Sequence, residues 1–273
     1  MLEIPESTVI ARQLNETVKG KKIKEVEAEH TKHSFAWYHG DPADYAAKME
    51  EREIGNSTGI GSMIETELSE YSFITGDGAN IRYFAPGEKL PDRYQTRITL
   101  EDDSSLIITV QMYGAMFLID PETYDNPYYL AGKEKPLPGT EDFDYEYFTA
   151  LREDLSGKIS VKEFLATHQR IPGLGNGVLQ DILFEAGLYS KRKINTLKDA
   201  DFRRTYEAIL HVLKQMTDLG GRDTEKDLFG QPGRYLTKLS KKTAGKPCPY
   251  CGSIIQKANY LGGTVYYCPS CQE

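Results

Sequence analysis

The sequence predicts an α+β protein of several domains, and three observations about its 273 residues support this fold class. Apolar residues recur at helical spacing near the start of the chain and throughout its second half. Between these regions they alternate in short runs broken by turns, as β-strands do. All the cysteines fall near the C-terminus, in a pattern typical of a small metal-bound unit. A chain of this length can bury a sizeable core in two domains besides that unit.

The chain opens with a predicted helix over residues 5–19. Pro5 suits the first turn of a helix, where its missing N–H costs nothing. Ile10, Leu14 and Val18 then recur every four residues, and a glycine follows as a stop. This spacing predicts one apolar face along the helix.

The sequence pattern of residues 21–120 predicts an antiparallel β-sandwich or barrel. Apolar residues alternate with polar ones in short runs, and Gly-Asp-Gly and Glu-Asp-Asp turns separate the runs. Such alternation is typical of a sheet with one face on the core. The runs that carry this prediction are Ile64 to Leu68, Ile98 to Leu100, Leu106 to Val110 and Met116 to Ile119.

Composition also suggests where the domains meet. A stretch rich in Pro, Gly, Tyr and acidic residues over 126–143 predicts a linker. We therefore divide the chain into an N-terminal helix and β-sandwich domain over 1–130, a linker over 131–145, a helical domain over 146–240 and a cysteine-bearing unit over 241–273. The boundaries follow the change from alternating to helical spacing of the apolar residues.

Helical spacing dominates the second half. Ser160 and Glu163 form a capping-box pattern, which predicts a helix that ends near Arg170. The Gly-rich run 172–177 cannot continue it, and a second helix is predicted over 178–186. A longer helix follows, and we interpret its apolar stripe before Gly220-Gly221 as ordinary core: Phe202, Tyr206, Ile209, Leu213 and Met216.

Two CxxC pairs predict a zinc ribbon. Cys248 and Cys251 form one pair, Cys268 and Cys271 form the other, and sixteen residues separate them. Four thiolates on a short strand-rich segment can converge on one tetrahedral ion and leave no open coordination position, so we expect one structural Zn²⁺. Two disulfides, a rubredoxin-like iron site or unrelated free thiols are the alternatives. Zinc is favoured because the sequence carries no secretory signal.

Charge is distributed unevenly along the chain. The net charge is −8, but residues 156–273 carry 18 Lys and Arg against 11 Asp and Glu, whereas residues 1–155 carry 15 against 30. Basic clusters at 191–193, 203–204 and 241–242 could neutralise phosphates, although a solvated helix face is the alternative for each. No apolar run is long enough to span a bilayer, and the acidic start is unlike a targeting peptide. We therefore expect a cytoplasmic protein without membrane contact.

The Gly-rich turn between two predicted helices is a candidate phosphate site. Gly175 and Asn176 stand where a tight turn exposes backbone N–H groups at the start of a helix. Such groups bind phosphate, and an asparagine adds a side-chain donor. A purely structural turn would have much the same sequence, so that alternative stays open.

Short motifs in a fixed order span the chain. They are Leu2 to Glu6, Ile171 to Asn176, Leu183 to Gly187, Gly220-Gly221, Lys226-Asp227, Gly230 to Gly233, and the cysteine pairs with the terminal Cys271-Gln272. Together they resemble the DNA glycosylase/AP lyases of the formamidopyrimidine-DNA glycosylase and endonuclease VIII family. The resemblance implies an N-terminal helix with a β-sandwich, a helix-two-turns-helix domain and a zinc ribbon. It further implies a monomer that binds double-stranded DNA, damaged or abasic, in the cleft between domains.

The amino terminus departs from the family pattern. The resemblance implies that a proline exposed by removal of the initiator Met attacks the sugar C1′, and that the glutamate after it serves as acid/base. Here Leu2 takes the position of the proline, so Met1 is expected to stay and to present a primary amine one residue further out. Glu3 stands at the position of the family's glutamate. The candidate catalytic residues are therefore Met1, Leu2 and Glu3, with the amine displaced.

Family contacts to DNA are replaced as well. Alignment to the family places its hairpin lysine on Ser62 and its ribbon arginine on Gly263. The Arg and Phe that the formamidopyrimidine branch inserts into the duplex fall on Gln111 and Tyr113, and its inserted methionine falls near Ala79. The candidate DNA-binding residues are Gly175, Asn176, Lys226, Gln111 and Tyr113.

Three functions from different classes fit these residues. As an enzyme, the chain would be a base-excision glycosylase that flips a lesion into its cleft, with Glu3 assisting and the Met1 amine or a water attacking. As a binding module, it would recognise damaged DNA without cutting it. As an interaction protein, it would bind a protein partner through its acidic N-terminal half. Because the residues of such a site act as a unit, losing the nucleophile predicts weak or absent lyase activity.

Overall fold

A computed structural model describes residues 2–153, 155 and 157–273 of the protein. Met1, one of the candidate catalytic residues, lies outside the described residues, as do Asp154 and Ser156. Within the described ranges, no helix combines the length and the apolar character needed to cross a membrane.

The first helix, α1, spans Ile4–Thr17. Glu3 precedes it with extended backbone, and Pro5 lies in its first turn as expected. The apolar face is buried at Ile10 and Leu14. The predicted helix is therefore confirmed, and its end comes two residues earlier than the glycine stop suggested.

The strands of the N-terminal half form two sheets. In chain order they are β1 (Ile23–Ala28), β2 (Ala36–His39), β3 (Ser57–Ile60), β4 (Met63–Leu68), β5 (Tyr71–Gly76), β6 (Ala79–Phe84), β7 (Thr96–Leu100), β8 (Ser105–Val110) and β9 (Gly114–Ile119), with a short helix α2 (Tyr45–Met49) after β2. One sheet has the order β1-β7-β8-β6, and the other has the order β2-β9-β5-β4-β3.

Residues from α1 and from both sheets share one apolar core. Ile98 and Ile108 enter it from the four-stranded sheet, and Ile64 and Met116 enter it from the five-stranded sheet. The expected sandwich is confirmed. Among the described strand pairs, β2 departs from antiparallel order because it runs parallel to β9, a direction that alternation of apolar residues cannot reveal.

A helix stands where the sequence suggested only a linker. Helix α3 spans Pro127–Glu134, and the side chain of Asn126 caps it by accepting the N–H groups of Tyr128 and Tyr129. Tyr129 is buried and its hydroxyl donates to Glu65 over 2.8 Å. This part of the expected linker is therefore helical, because its Asn-Pro pair starts a helix.

The second half is built from helices that surround a separate apolar core. They are α4 (Tyr145–Ala150), α5 (Val161–Ala166), α6 (Asn176–Glu185) and α7 (Asp199–Asp218). The predicted first helix of this half ends at Ala166 and not near Arg170, because His168 and Gln169 take left-handed backbone conformations. Helix α6 begins at Asn176, two residues earlier than predicted. The stripe along α7 packs into this core, as expected.

The C-terminal segment is a hairpin docked on α6. Strands β10 (Gln256–Tyr260) and β11 (Gly263–Tyr267) pair antiparallel. The side chain of Gln180 on α6 accepts the N–H of Tyr266 and donates to the carbonyl of Thr264, at 3.0 and 3.2 Å. Ile255 packs beside Phe184 of the same helix in a small cluster that includes cysteines. These contacts fix the turn of the hairpin near the N-terminal end of α6.

Candidate functional site

The four cysteines converge as a metal site requires. Their sulfur atoms all lie within 4.8 Å of one another. The Sγ atoms of Cys248 and Cys271 are 3.8 Å apart, and those of Cys251 and Cys268 are 3.4 Å apart. A tetrahedron with metal–sulfur bonds of about 2.3 Å has edges of about 3.8 Å, whereas a disulfide needs sulfurs about 2.05 Å apart. The set can therefore hold a metal ion, and the disulfide alternative is wrong.

Glu3 is buried at the start of the N-terminal helix and reaches α6. Its carboxylate accepts the N–H of Gly177 over 2.9 Å and the N–H of Val178 over 2.7 Å. These are amides in the first turn of α6, where the helix presents unpaired donors and a partial positive charge. The carboxylate thus ties the amino end of the chain to the Gly-rich turn.

A buried arginine joins this carboxylate. Arg222 follows the Gly220-Gly221 pair and donates to Glu6 from Nε over 2.9 Å and from Nη2 over 2.7 Å. Its Nη1 lies 3.4 Å from Oε2 of Glu3. All three side chains are at most 7% exposed. Two carboxylates therefore share one guanidinium in the protein interior, at the junction of α1, α6 and the segment after α7.

The positive charge of Arg222 and the negative charges of Glu3 and Glu6 offset part of the cost of burying each of them. Burial raises the pKa of Glu3 above its ordinary value; the charge of Arg222 and the two amide donors oppose this effect without cancelling it, and the carboxylate of Glu6 adds to it. Burial alone would lower the pKa of Arg222, but the carboxylates of Glu3 and Glu6 outweigh it and raise that pKa, so the guanidinium stays charged. The hydrogen bonds from Gly177 and Val178 fix the position of the Glu3 carboxyl group.

The glycines of the turn leave the space that this cluster occupies. A Cβ on Gly177 would lie 1.7 Å from Nη1 of Arg222, and a Cβ on Gly175 would lie 2.7 Å from Cδ of Glu3. The sequence suggested that the amides around Gly175 face a phosphate. The amides of Gly177 and Val178 instead bind Glu3, so for these two donors the expectation is wrong.

Asn176 meets the ribbon turn. Its Nδ2 donates to the carbonyl of Thr264 over 2.9 Å, and its Oδ1 is buried without a hydrogen-bond partner among the described residues. Lys162 of α5 donates from Nζ to the carbonyl of Tyr260 over 2.8 Å. A Cβ on Gly263 would lie 3.5 Å from both Asn176 Nδ2 and Lys162 Nζ. A cation and an amide therefore converge where the family's ribbon arginine would begin.

Lys162 was missed by sequence reasoning. It lies two residues after Ser160 in the first turn of α5, where nothing in the local pattern separates it from a solvated lysine. The side chain is buried, and burial lowers its pKa. Only the docking of the hairpin on α6 brings its ammonium beside Asn176.

A cleft separates the sandwich from the segment after α7. Its volume is about 400 Å³. Gln111 and Tyr113 reach it from the turn between β8 and β9, and exposed Lys226 reaches it from the opposite wall. Three of the candidate DNA-binding residues therefore share one cleft. Its other lining residues are Gly78, Asn80, Arg82, Thr109, Met112, Thr224 and Glu225.

Leu2 lies at the inner end of this region. It is buried, and its N–H donates to the carbonyl of Asp77 over 3.2 Å. A small cavity between Leu2 and Lys226 adjoins the carboxylate of Glu6, so the amino end of the chain, the buried charge cluster and the cleft are neighbours.

Two positions taken from the family alignment have different surroundings. Ala79 is 1% exposed, so it cannot insert into a duplex, and the placement of the inserted methionine there is wrong. Ser62 lies in the turn between β3 and β4, next to Gly61. That glycine packs backbone to backbone against Gly173, since a Cβ on Gly173 would be 2.2 Å from the Gly61 carbonyl carbon. The hairpin thus touches the Gly-rich turn without offering a cation there.

Comparison with known proteins identifies relatives along the full length. No protein-family model matches the chain. The formamidopyrimidine-DNA glycosylase of Streptococcus pneumoniae strain R6 is 26% identical over 280 residues, which cover 100% of this chain and 99% of that protein. The formamidopyrimidine-DNA glycosylase of Bacillus subtilis is 27% identical over 281 residues, with the same shares covered.

Solved structures establish the fold. Fpg of Lactococcus lactis, in a complex with DNA containing an abasic site, superposes with a TM-score of 0.85 at 23% identity and covers 99% of both chains. Fpg (MutM) of Thermus thermophilus superposes with a TM-score of 0.83 at 24% identity, over 99% of this chain and 98% of that one. The α+β class, with helix and sandwich, helical middle and terminal hairpin, is confirmed. With relatives that match from end to end and the motifs in the same order, the chain is similar over its full length to formamidopyrimidine-DNA glycosylases, and it carries Leu2 at the position of the amino-terminal proline.

Proposed function

We propose that this protein binds duplex DNA at abasic or damaged sites and serves base-excision repair, with AP lyase activity that is weak or absent. The relatives are named as glycosylases, and the Lactococcus lactis structure is described as a complex with abasic DNA. The observation that carries the proposal is the cleft shared by Gln111, Tyr113 and Lys226 beside the amino end of the chain. An enzyme that acts on a nucleotide needs such a cavity for the extruded unit.

We assign binding of the DNA backbone to the side of the cleft where the zinc-ribbon hairpin meets α6. Lys162 and Asn176 converge at the turn before β11, and Lys226 stands across the cleft. Cations and amides of this kind bind phosphates and position the duplex without reading its sequence. Lys162 offers a positive charge close to Gly263, where the family's ribbon arginine is missing, so loss of that arginine does not leave this side uncharged.

Weak lyase activity is proposed because the sequence lacks the family's amino-terminal proline. Leu2 cannot supply the secondary amine of a proline. Glu3 keeps the position of the family's glutamate and is held in place by two amides and Arg222. The missing secondary amine therefore carries this part of the proposal, because the residues of such a site act as a unit.

The cysteine site is proposed to hold one structural zinc ion. Four thiolates in a tetrahedral set suit zinc and leave it no reactive position. The ion would hold the hairpin that carries Gly263 and Thr264 to the DNA side of α6. Reduced thiols require a reducing compartment, which supports the cytoplasm as the proposed location. We also propose the sandwich, the helical segment and the ribbon as separate domains, with boundaries near residues 130, 146 and 240.

Fluorescence anisotropy with matched duplexes tests the proposal. The protein should bind a duplex with one abasic site more tightly than the same duplex fully paired, and Lys226→Ala should weaken both. Lys24→Ala is the matched control, because Lys24 is exposed on β1, at the far edge of the four-stranded sheet from β6. Equal affinity for the two duplexes, or no binding at low salt, would overturn the proposal.

A binding module without base excision is the second candidate. The replacement of the amino-terminal proline by Leu2 favours it, since the residues of such a site act as a unit and the loss of one can abolish most of the rate. Incubation with a duplex containing an oxidised purine separates the two functions. Release of the free base supports the glycosylase, whereas tight binding with the base retained supports the module.

A further inference from the structure

Exposed apolar side chains gather at the rim of the cleft. Trp37 is 43% exposed, and its ring stacks on Tyr113 with centroids 5.8 Å apart and an interplanar angle of 27°. Phe35 and Met112 are 57% and 72% exposed. We call these four side chains the aromatic patch. Exposed apolar side chains clustered in this way mark an interaction site more often than chance exposure.

The sheet builds the patch. Trp37 lies on β2, and Phe35 lies in the turn that leads into this strand. Trp37 lies opposite Ala115 of β9, whose small side chain leaves room for the indole ring. The N–H of Gly114 donates to the carbonyl of Phe35 over 2.9 Å. The ring of Trp37 is therefore carried on paired backbone and not on a free loop.

Position and charge indicate the class of partner. Met112 and Tyr113 line the cleft, and Trp37 extends its wall outward by one ring. Lys32 and His33 precede Phe35 along the chain, within an N-terminal half that is acidic overall, and the His33 ring meets the Phe35 ring edge-on with centroids 6.4 Å apart. Aromatic faces beside cationic side chains are the combination that binds unpaired nucleotides, because a base stacks on the ring while the backbone meets the charge.

We propose that Trp37 and Tyr113 form a stacking platform for an unpaired nucleobase at the rim of the cleft. This inference rests on the proposed function, because an abasic or flipped nucleotide leaves the base on the other strand without its partner. Stacking is available to every base, so the platform recognises the unpaired state and not the sequence. Trp37 then adds selectivity for a lesion that Gln111, in the position of an inserted arginine, cannot supply by charge.

Intrinsic fluorescence gives a direct test, because Trp37 is the only tryptophan in the chain. Three duplexes of one length are compared with the unmodified protein. The first is fully paired, the second has an abasic site opposite a normal base, and the third has abasic sites opposite each other. Quenching of Trp37 is expected with the second duplex and not with the first or third, since only the second presents an unpaired base.

Variants separate stacking from folding. Trp37→Ala should weaken binding to the second duplex roughly 5- to 150-fold, which is the range of base–aromatic stacking, and leave binding to the third duplex unchanged. Trp37→Phe should retain most of the affinity. Tyr128→Ala is the matched control, because Tyr128 is 61% exposed on α3, which packs near β3 at the other edge of the five-stranded sheet.

The possible outcomes separate the stacking platform from the proposed binding of abasic DNA on which it rests. Anisotropy that reports selective binding to abasic duplexes, with Trp37 unquenched and Trp37→Ala unchanged, would overturn the platform and leave the function standing. Equal quenching by the second and third duplexes would likewise overturn it. Absence of DNA binding in every duplex would overturn both. Self-association that Trp37→Ala abolishes, without any effect on DNA binding, would assign the patch to a second copy of the chain instead.

Discussion

Arg222 occupies the space that a side chain at position 177 would fill. A Cβ on Gly177 would lie 1.7 Å from Nη1 of Arg222, and that guanidinium is 2% exposed between the carboxylates of Glu3 and Glu6. The glycine in α6 and the arginine after α7 are therefore mutually required. Their pairing links the amino end of the chain to the Gly-rich turn.

Substitution of Gly177 by alanine tests this dependence. We expect Gly177→Ala to lower the free energy of unfolding by about 1–3 kcal/mol, because the buried guanidinium must move away from its carboxylates. Chemical denaturation measures the change. Gly263→Ala is the matched control, since its Cβ would meet its nearest neighbours at an ordinary 3.5 Å. An equal loss in both variants would contradict the account.

Removal of the arginine tests the same contact from the other side. We expect Arg222→Ser to destabilise the protein by about 3–5 kcal/mol, since two buried carboxylates lose their shared cation. In that background, Gly177→Ala should cost less than it does alone. Denaturation of the four proteins of this double-mutant cycle gives the coupling. Strictly additive effects would show that the two residues do not constrain each other.

Asp181 gives a pH-dependent prediction. It is fully buried on α6 and accepts the N–H groups of Lys238 and Leu239 over 2.9 and 2.8 Å. Burial, opposed by these two amides, raises its pKa to about 6. A raised carboxyl pKa means that the folded state binds the proton more tightly than the unfolded state, so this stability is present below pH 4 and is lost as the pH rises through about 6.

Comparison with Asp181→Asn isolates that effect. The free energy of unfolding of the unmodified protein, minus that of the variant, should fall by about 2 kcal/mol between pH 4 and pH 7, because one pKa unit corresponds to about 1.4 kcal/mol. Denaturation at several pH values measures it. A difference that stays flat or rises with pH would contradict the assigned direction.

Metal removal should act locally. We expect Cys268→Ser, or a strong chelator, to release one equivalent of zinc and to speed amide exchange in β10 and β11 while α1 and the sandwich stay protected. Elemental analysis and hydrogen exchange measure the two effects. Lys257→Ala is the control, because Lys257 is exposed on β10, lies outside the cysteine set and should keep the metal. A purified protein without stoichiometric zinc would contradict the proposal.

Local signals predicted most of the fold. The cysteine spacing, Pro5 at a helix start and the alternation along β4 and β8 each act within a few residues, so the sequence carries them directly. The Asn126-Pro127 start of α3 was also local, but its composition matched a linker. The parallel direction of β2 was not local, because it depends on how the chain crosses the sandwich.

The site was predicted less completely, because its contacts join distant parts of the chain. Glu3, Asn176 and the cysteines were found from their motifs. Arg222 was not, since a single arginine after two glycines has no periodic signal and its partner Glu6 is 216 residues away. Lys162 was missed for the same reason. The motif residues could be named from the sequence, whereas the groups that hold them could not.

Borohydride trapping measured beside anisotropy on one abasic duplex tests most directly whether the protein recognises abasic DNA with little strand cleavage. We expect tight, selective binding with little trapped complex, and more trapping by Leu2→Pro, which restores a secondary amine after removal of Met1. Anisotropy on the same samples shows that a low yield is not a failure to bind. Efficient trapping by the unmodified protein, abolished when its amino terminus is blocked, would contradict the account.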